Sequence, residues 1–178
     1  MKAANYTESS AVFSAPPRGA RSLYRYELRR RWAEGPMALW IGANPSHAGA
    51  EGDDHTLGRI VHFTMQAAGK PGALTGCGGI LLGNALAFIS TDPVGLLLAP
   101  DPVGPENDVY LAKMAKEAVA IVVCWGQIPD RRRVSEVVSL LQRSDKPLLC
   151  LGTGSKGAPL HPARLANDTA IVPWRRTS

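Results

Sequence analysis

The sequence predicts one three-layer α/β domain, with a four-stranded and mainly parallel central sheet flanked by helices. Three observations lead there. Four short apolar runs, at 37–41, 80–82, 120–125 and 147–151, are continuous rather than alternating, as strands covered on both faces are. Between them lie segments whose apolar residues recur at helical spacing, and strands alternating with helices give a doubly wound sheet. The length of 178 residues suits a single core, since one domain commonly takes ~100–200 residues.

Taken in order, residues 1–20, with Pro16, Pro17 and Gly19, are expected to form a partly flexible N-terminal arm, and 21–178 the domain. Segment 22–32 supports two readings: Tyr24, Tyr26 and Leu28 alternate as in a strand, while Tyr24, Leu28 and Trp32 fit a helix face. After the first apolar run, Leu57, Ile60, Val61, Thr64, Met65 and Ala68 predict a helix over 56–68, with Gly69 as its stop. Glu51, Asp53, Asp54 and His55 stand just before it. They either hold a metal or water, or cap the helix, where the dipole and unpaired N–H groups favour carboxylates. No distant partner stands at convincing ligand spacing, so capping is preferred and no metal is assigned. A Pro-rich connection at 91–105 follows the second run, then a helical stretch over 107–119. Val134, Val137, Val138 and Leu141 place a helix over 131–142 between the third and fourth runs.

Composition sets the setting. Cys77, Cys124 and Cys150 cannot close a disulfide framework, which fits a reducing cytoplasm, and the two cysteines in apolar runs read as inert packing. The apolar runs fall short of the ~18 residues of a spanning helix, so neither membrane insertion nor secretion is expected. Lys and Arg outnumber Asp and Glu by 20 to 15, for a net charge of +5 that hints at an anionic partner. The arginines cluster at Arg18, Arg21, Arg25 and 29–31, at Arg131, Arg132 and Arg133, and at Arg164, Arg175 and Arg176.

In an open α/β sheet, ligands bind beyond the carboxyl ends of the strands. Those ends carry Gly42-Ala43-Asn44-Pro45-Ser46-His47, Gly83-Asn84, Trp125-Gly126-Gln127, and Gly152-Thr153-Gly154-Ser155 leading to His161-Pro162. Asn44, Asn84 and His161 are expected to converge on one crevice, where amides and an imidazole can hydrogen-bond a planar heterocycle. Taken singly, each Asn also reads as a turn former and the His as a loop residue. Arg131 to Arg133 and Arg164 adjoin strand ends and are expected to border the crevice and hold phosphate. No Gly-x-Ser-x-Gly elbow points to a serine hydrolase, and no Gly-x-Gly-x-x-Gly to a nicotinamide cofactor. The glycine-rich stretch 152–157, with Lys156, departs from the phosphate-loop pattern.

Asn44-Pro45-Ser46, Asp53-Asp54-His55-Thr56, Asn84, the run from Asp101 to Asp108, Trp125-Gly126, and Gly157-Ala158-Pro159-Leu160-His161-Pro162 resemble, in that order, the bacterial and phage domain-of-unknown-function family 1643. That family is defined without an activity. More distantly, four strand-end motifs are similar to those of the uracil-DNA glycosylase superfamily: Gly42-Ala43-Asn44-Pro45-Ser46, Leu81-Leu82-Gly83-Asn84, Cys124-Trp125-Gly126 and His161-Pro162-Ala163.

This second resemblance implies a uracil-DNA-glycosylase-like fold and a metal-independent hydrolase with no cofactor, acting in DNA repair. It would cleave the N-glycosidic bond of a modified or deaminated base in a nucleic acid or nucleotide, after the base leaves the stack. It implies Asn44 and His161 as catalytic residues, Asn44 positioning water and His161 stabilising the departing base. Gly42, Pro45, Ser46, Asn84, Trp125 and Pro162 would contact substrate, with Asn84 reading the base edge. Leu165 would wedge into DNA and Arg164 touch phosphate. Three departures stand out: Ala163 replaces a phosphate-contacting Ser, Ser46 stands where the superfamily has Tyr or Gly, and Ile89 lies where family 1643 would carry Arg. The alternatives are a non-catalytic nucleic-acid or nucleotide-binding protein with the same crevice, and an interaction protein whose strand-end polar residues are structural.

Overall fold

The computed structural model describes residues 5–16, 22–46 and 52–175. One mixed sheet of seven strands runs through it, in the order β1-β2-β4-β3-β5-β6-β7. Its centre is the expected four-stranded parallel core: β4 (Gly79–Asn84), β3 (Met37–Gly42), β5 (Ala120–Val123) and β6 (Leu148–Cys150). The expectation of four strands is corrected to seven. β1 (Glu8–Phe13) and β2 (Arg25–Arg31) add antiparallel strands beyond β4, and the two-residue β7 (Val172–Pro173) pairs antiparallel with β6. These strands lack an apolar run, which is why composition hides them. β1 falls within the segment expected to be an arm, and it pairs with β2 from Glu8↔Arg31 to Phe13↔Arg25.

β2 resolves the ambiguous segment 22–32 as a strand. Its sequence, RYELRRR, looks like a solvated charge run, yet Arg25, Tyr26, Glu27, Leu28 and Arg30 are all buried. Ion pairs offset the desolvation. Arg29 binds Glu117 at 2.6 Å and Glu27 at 3.1 Å, and Arg30 binds Asp53 at 2.9 Å.

Two cores make the three layers. On one face α1 (His55–Ala68) sets Leu57, Ile60 and Phe63 against Trp40, Ile80 and Val122. On the other, α3 (Asn107–Glu117) and α4 (Arg131–Gln142) set Leu111, Met114, Val137 and Leu141 against Leu39, Ile41 and Ile121. Each such side chain contributes about 1.5–3 kcal/mol on burial, which is what fixes the helices to the sheet. The buried Trp40 indole N–H is satisfied by Thr64 Oγ1 at 2.9 Å, and Thr64 in turn donates to Ile60 O at 2.8 Å. The helix ends follow the sequence: Asp54 is the N-cap of α1 and Gly69 its C-cap. The Pro-rich connection holds the short α2 (Pro93–Leu98), capped by Asp92. Among the described residues no helix is long and apolar enough to cross a membrane.

Candidate functional site

Parallel strands all deliver their last residues to one edge of the sheet, and there a pocket of about 300 Å³ opens. Asn44, Asn84 and His161 all line it, although they come from three distant stretches of chain. Arg25, Ser46 and Asp54 share its wall.

Asn44 follows β3. Its Nδ2 donates to Pro45 O at 3.1 Å and to Ser90 O at 2.7 Å, pinning two loops together. With the nitrogen so engaged, the amide is oriented and Oδ1 is its remaining acceptor. Asn84 ends β4 and is 4% exposed. It stands opposite Gly42 in the β3–β4 register, and a Cβ on Gly42 would lie 2.7 Å from Asn84 Nδ2. Gly42 therefore serves the site by leaving room for this amide.

Asn84 Oδ1 accepts from Arg25 Nη2 at 3.1 Å. Arg25 opens β2, and because β2 runs antiparallel to β4, the start of one strand meets the end of the other. Burial pulls the Arg25 guanidinium down to about 10; the Asp54 charge works against that shift and the Arg30 charge adds to it. It is still a cation at neutral pH. Asp54 uses both oxygens: Oδ1 accepts from Leu57 N–H at 2.8 Å as the helix cap, and Oδ2 from Ser46 Oγ at 2.7 Å. The acidic cluster is thus divided, since Asp53 instead binds Arg30 and the Tyr6 hydroxyl. Among the described residues no group of three or more His, Cys, Asp or Glu is arranged to hold a metal.

His161 caps the turn Pro162–Arg164, and its Nδ1 accepts from Ala163 N–H at 3.3 Å. Nδ1 as acceptor puts the proton of a neutral ring on Nε2. Burial lowers the His161 pKa, the Asp54 charge opposing this and His55 adding to it, so the neutral ring dominates at pH 7. The loop is held from α1. Arg59, itself buried, donates to Pro162 O, Leu165 O at 2.6 Å, Ala166 O and Asn167 Oδ1.

The remaining expected residues fall elsewhere. Pro45 and Pro162 are buried and act through their carbonyls. Trp125 stacks edge-on against Trp174 at 5.6 Å and lines a neighbouring cavity of about 480 Å³, together with Arg131 and Lys156 of the glycine-rich stretch. The expectation that Arg131 to Arg133 and Arg164 border the Asn44 pocket is corrected: none of them lines it. Arg132 pairs with Glu136 on the helix surface. Arg133 is 2% exposed and forks onto Asp108 at 2.6 and 3.2 Å while donating to Ala85 O at 2.7 Å, so it ties α4 to α3 rather than meeting a ligand. Leu165 is half-buried against the core, not a projecting wedge, and Arg164 is exposed outside the pocket. Arg18, Arg21, His47, Glu51 and Arg176 lie outside the described residues.

Sequence reasoning missed Arg25 as a site residue and, for Asp54, preferred helix capping over holding a metal or water. The signal for Arg25 was the strand reading of 22–32, which would have set its antiparallel start at the pocket edge. Cys124 and Cys77 are held protonated by burial, pushed up to about 12 and about 11, and neither lines the pocket.

A family model described as "Protein of unknown function (DUF1643)" matches residues 25–163, most of the chain. No protein of curated function and no solved structure matches.

Proposed function

The chain belongs to the DUF1643 family of proteins of unknown function, and from that premise we propose that its pocket receives a nucleobase and hydrolyses the N-glycosidic bond joining it to a sugar. The observation that carries this reading is the convergence of Asn44, Asn84 and His161 on one small pocket at the carboxyl edge of the parallel strands. A volume of about 300 Å³ lies at the small end for ligand sites and suits a single planar ring. The similarity of the strand-end motifs to the uracil-DNA glycosylase superfamily, and the parallel core beneath them, point the same way.

In this reading Asn44 Oδ1 orients the attacking water. Its oxygen bonds to the sugar carbon, the carbon–nitrogen bond breaks with its electron pair on the base, and the proton lost by water neutralises the departing ring. His161 Nε2–H donates to the base oxygen where negative charge gathers, a contact strongest in the transition state. Asp54 faces the sugar as positive charge develops there, and Asn84 holds the base edge. Modified or deaminated bases of a nucleic acid or nucleotide are the proposed substrates.

One observation favours the second reading, binding without catalysis by a nucleic-acid or nucleotide-binding protein. Both Asp54 oxygens are engaged and Asn44 is a weak base, so among the described residues the pocket has no uncommitted carboxylate to take a proton. Oligonucleotides and nucleosides carrying a panel of deaminated and modified bases, assayed for released base by mass spectrometry, separate the two. Release that is abolished in Asn44→Ala and His161→Ala, with unchanged melting, supports hydrolysis. Binding without release supports the second reading, and the absence of both overturns the base pocket.

A further inference from the structure

Two of the chain's cations line a cavity that the base-pocket reading does not use. It measures about 480 Å³ and opens beside Trp125 and Trp174, whose rings belong to the core under α3 and α4. The base pocket instead takes Thr56, Ile60 and the cap Asp54 from α1, on the other face of the sheet. Segment 159–161 joins the two, with Pro159 lining the cavity and His161 the pocket. The cavity owes its shape to the glycine-rich stretch 152–157, which folds back on itself. Gly154 N–H donates to Ala158 O at 2.8 Å and Leu160 N–H to Gly152 O at 2.9 Å, while Gly126 N–H holds Pro159 O at 3.0 Å. At the tip Lys156 adopts φ 58° and ψ 27°, a left-handed conformation that glycine takes freely and lysine only with strain.

Arg131, the first residue of α4, is the second cation. Among the described residues neither it nor Lys156 has a carboxylate partner, and no Asp or Glu lines the cavity. The nearby acids are committed elsewhere: Asp130 caps α4 through Arg133 N–H at 3.0 Å, and Glu136 pairs with Arg132 and Arg133. Beside Lys156, Ser155 Oγ accepts from Gln127 Nε2 at 2.8 Å, which leaves its hydroxyl hydrogen to donate. The rest of the wall is apolar, with Ile128, Val134 and Pro159 beside the two indoles, themselves edge to face at 5.6 Å. We propose that this cavity is a second binding site, for a small phosphate monoester carried on an aromatic body, with Arg131, Lys156 and Ser155 on the phosphate and the indole side on the ring. Two cations and a hydroxyl answer a dianionic phosphate, whereas a monocarboxylate leaves one cation unmatched. A ring-lined wall favours a ring. The strain at Lys156 then has a purpose, because glycine would suit the turn but bring no charge. The site stands whether or not the Asn44 pocket cleaves anything.

The experiment titrates the full chain, followed by NMR, with naphthyl phosphate, naphthol, inorganic phosphate and adenosine monophosphate. Naphthyl phosphate offers no base edge, so it reports on this cavity apart from the Asn44 pocket. It is expected to shift the backbone signals of Ser155 to Gly157 and the Trp174 indole N–H, and to bind about tenfold more tightly than naphthol or inorganic phosphate, or better. Arg131→Gln and Lys156→Gly are each expected to weaken it about tenfold, and Lys156→Gly to melt no lower than wild type, since glycine relieves the turn. If Lys156→Gly does not fold, Arg131→Gln, at an exposed position, decides the matter. Adenosine monophosphate shifting the same signals makes a nucleotide the source of the ester; shifts there with naphthyl phosphate alone make it another aryl phosphate, and either supports the site. Failure of both esters to bind there, equal binding of naphthol, or undiminished binding in the folded variants overturns it and leaves the base pocket standing.

Discussion

Replacing Arg59 by Met tests whether the loop carrying His161 is held from α1. Met preserves the apolar stem and the packing over Phe63, whose ring lies 4.5 Å beneath the guanidinium. What it removes is the fork: donors to Pro162 O at 3.4 Å, Leu165 O at 2.6 Å, Ala166 O at 3.3 Å and Asn167 Oδ1. Ala166 and Asn167 are exposed, so water takes over there; Pro162 is buried and Leu165 half-buried, and their carbonyls lose a charged donor. At about 1–1.5 kcal/mol for each of those two, the variant loses about 2–3 kcal/mol. In a domain of this size that is a fall in Tm of about 5–10 °C. Urea denaturation measures the free energy, and hydrogen exchange at Ala163 and Leu165 locates the loss, which should exceed that in the sheet. A Tm within about 1 °C of wild type, or full recovery by Arg59→Lys, which cannot reproduce the planar fork, would refute the reasoning.

Three further outcomes follow from the same structure. Arg133→Met breaks a buried fork whose partner Asp108 is half exposed and should cost about 2–3 kcal/mol by urea denaturation, while Arg132→Ala, at a side chain 87% exposed, should stay within about 0.5 kcal/mol. Thr64→Val removes the acceptor of the buried Trp40 indole and should cost about 1–3 kcal/mol, with altered Trp fluorescence reporting the site. His161 titrates lower in the folded chain than its ordinary 6.5 because the pocket partly desolvates its ring, so between the two values the unfolded chain binds the extra proton. Stability should therefore fall as pH drops below about 6.5 and be unaffected by this group above it; His161→Gln should remove that part of the slope, and an identical pH profile in the variant would count against it.

What the sequence revealed follows from how each element is buried. β3, β4 and β5 are covered on both faces, and such strands must be apolar throughout, so their runs stand out. α1 announces itself through period and cap, since Asp54 and Gly69 are local devices. β2 was obscure because Arg25, Glu27 and Arg30 are buried in spite of their charge, and the partners that make this possible, Asp53 and Asn84 among them, lie far along the chain. The same limit explains the site. Asn44, Asn84 and His161 stand at strand ends or just beyond, where chain order alone places them near one another. Arg25 and Asn84 are 59 residues apart and meet only because β2 returns antiparallel. Counting arginines misled for a related reason: Arg133 looks like its neighbours in sequence, but it faces inward and spends its charge on Asp108.

The pocket wall takes its residues from the start of β2, the exit of β3, the cap of α1, the end of β4 and the loop before Pro162. No fragment of the chain holds it, and it exists only while the whole sheet does. Binding there is therefore thermodynamically linked to global unfolding rather than to a local opening, and a ligand at 100 times its Kd should add about 2.7 kcal/mol to the stability of the entire domain. Thermal shift across a library of bases, nucleosides and nucleotides then becomes a direct search for the natural ligand, one that needs no prior choice of reaction.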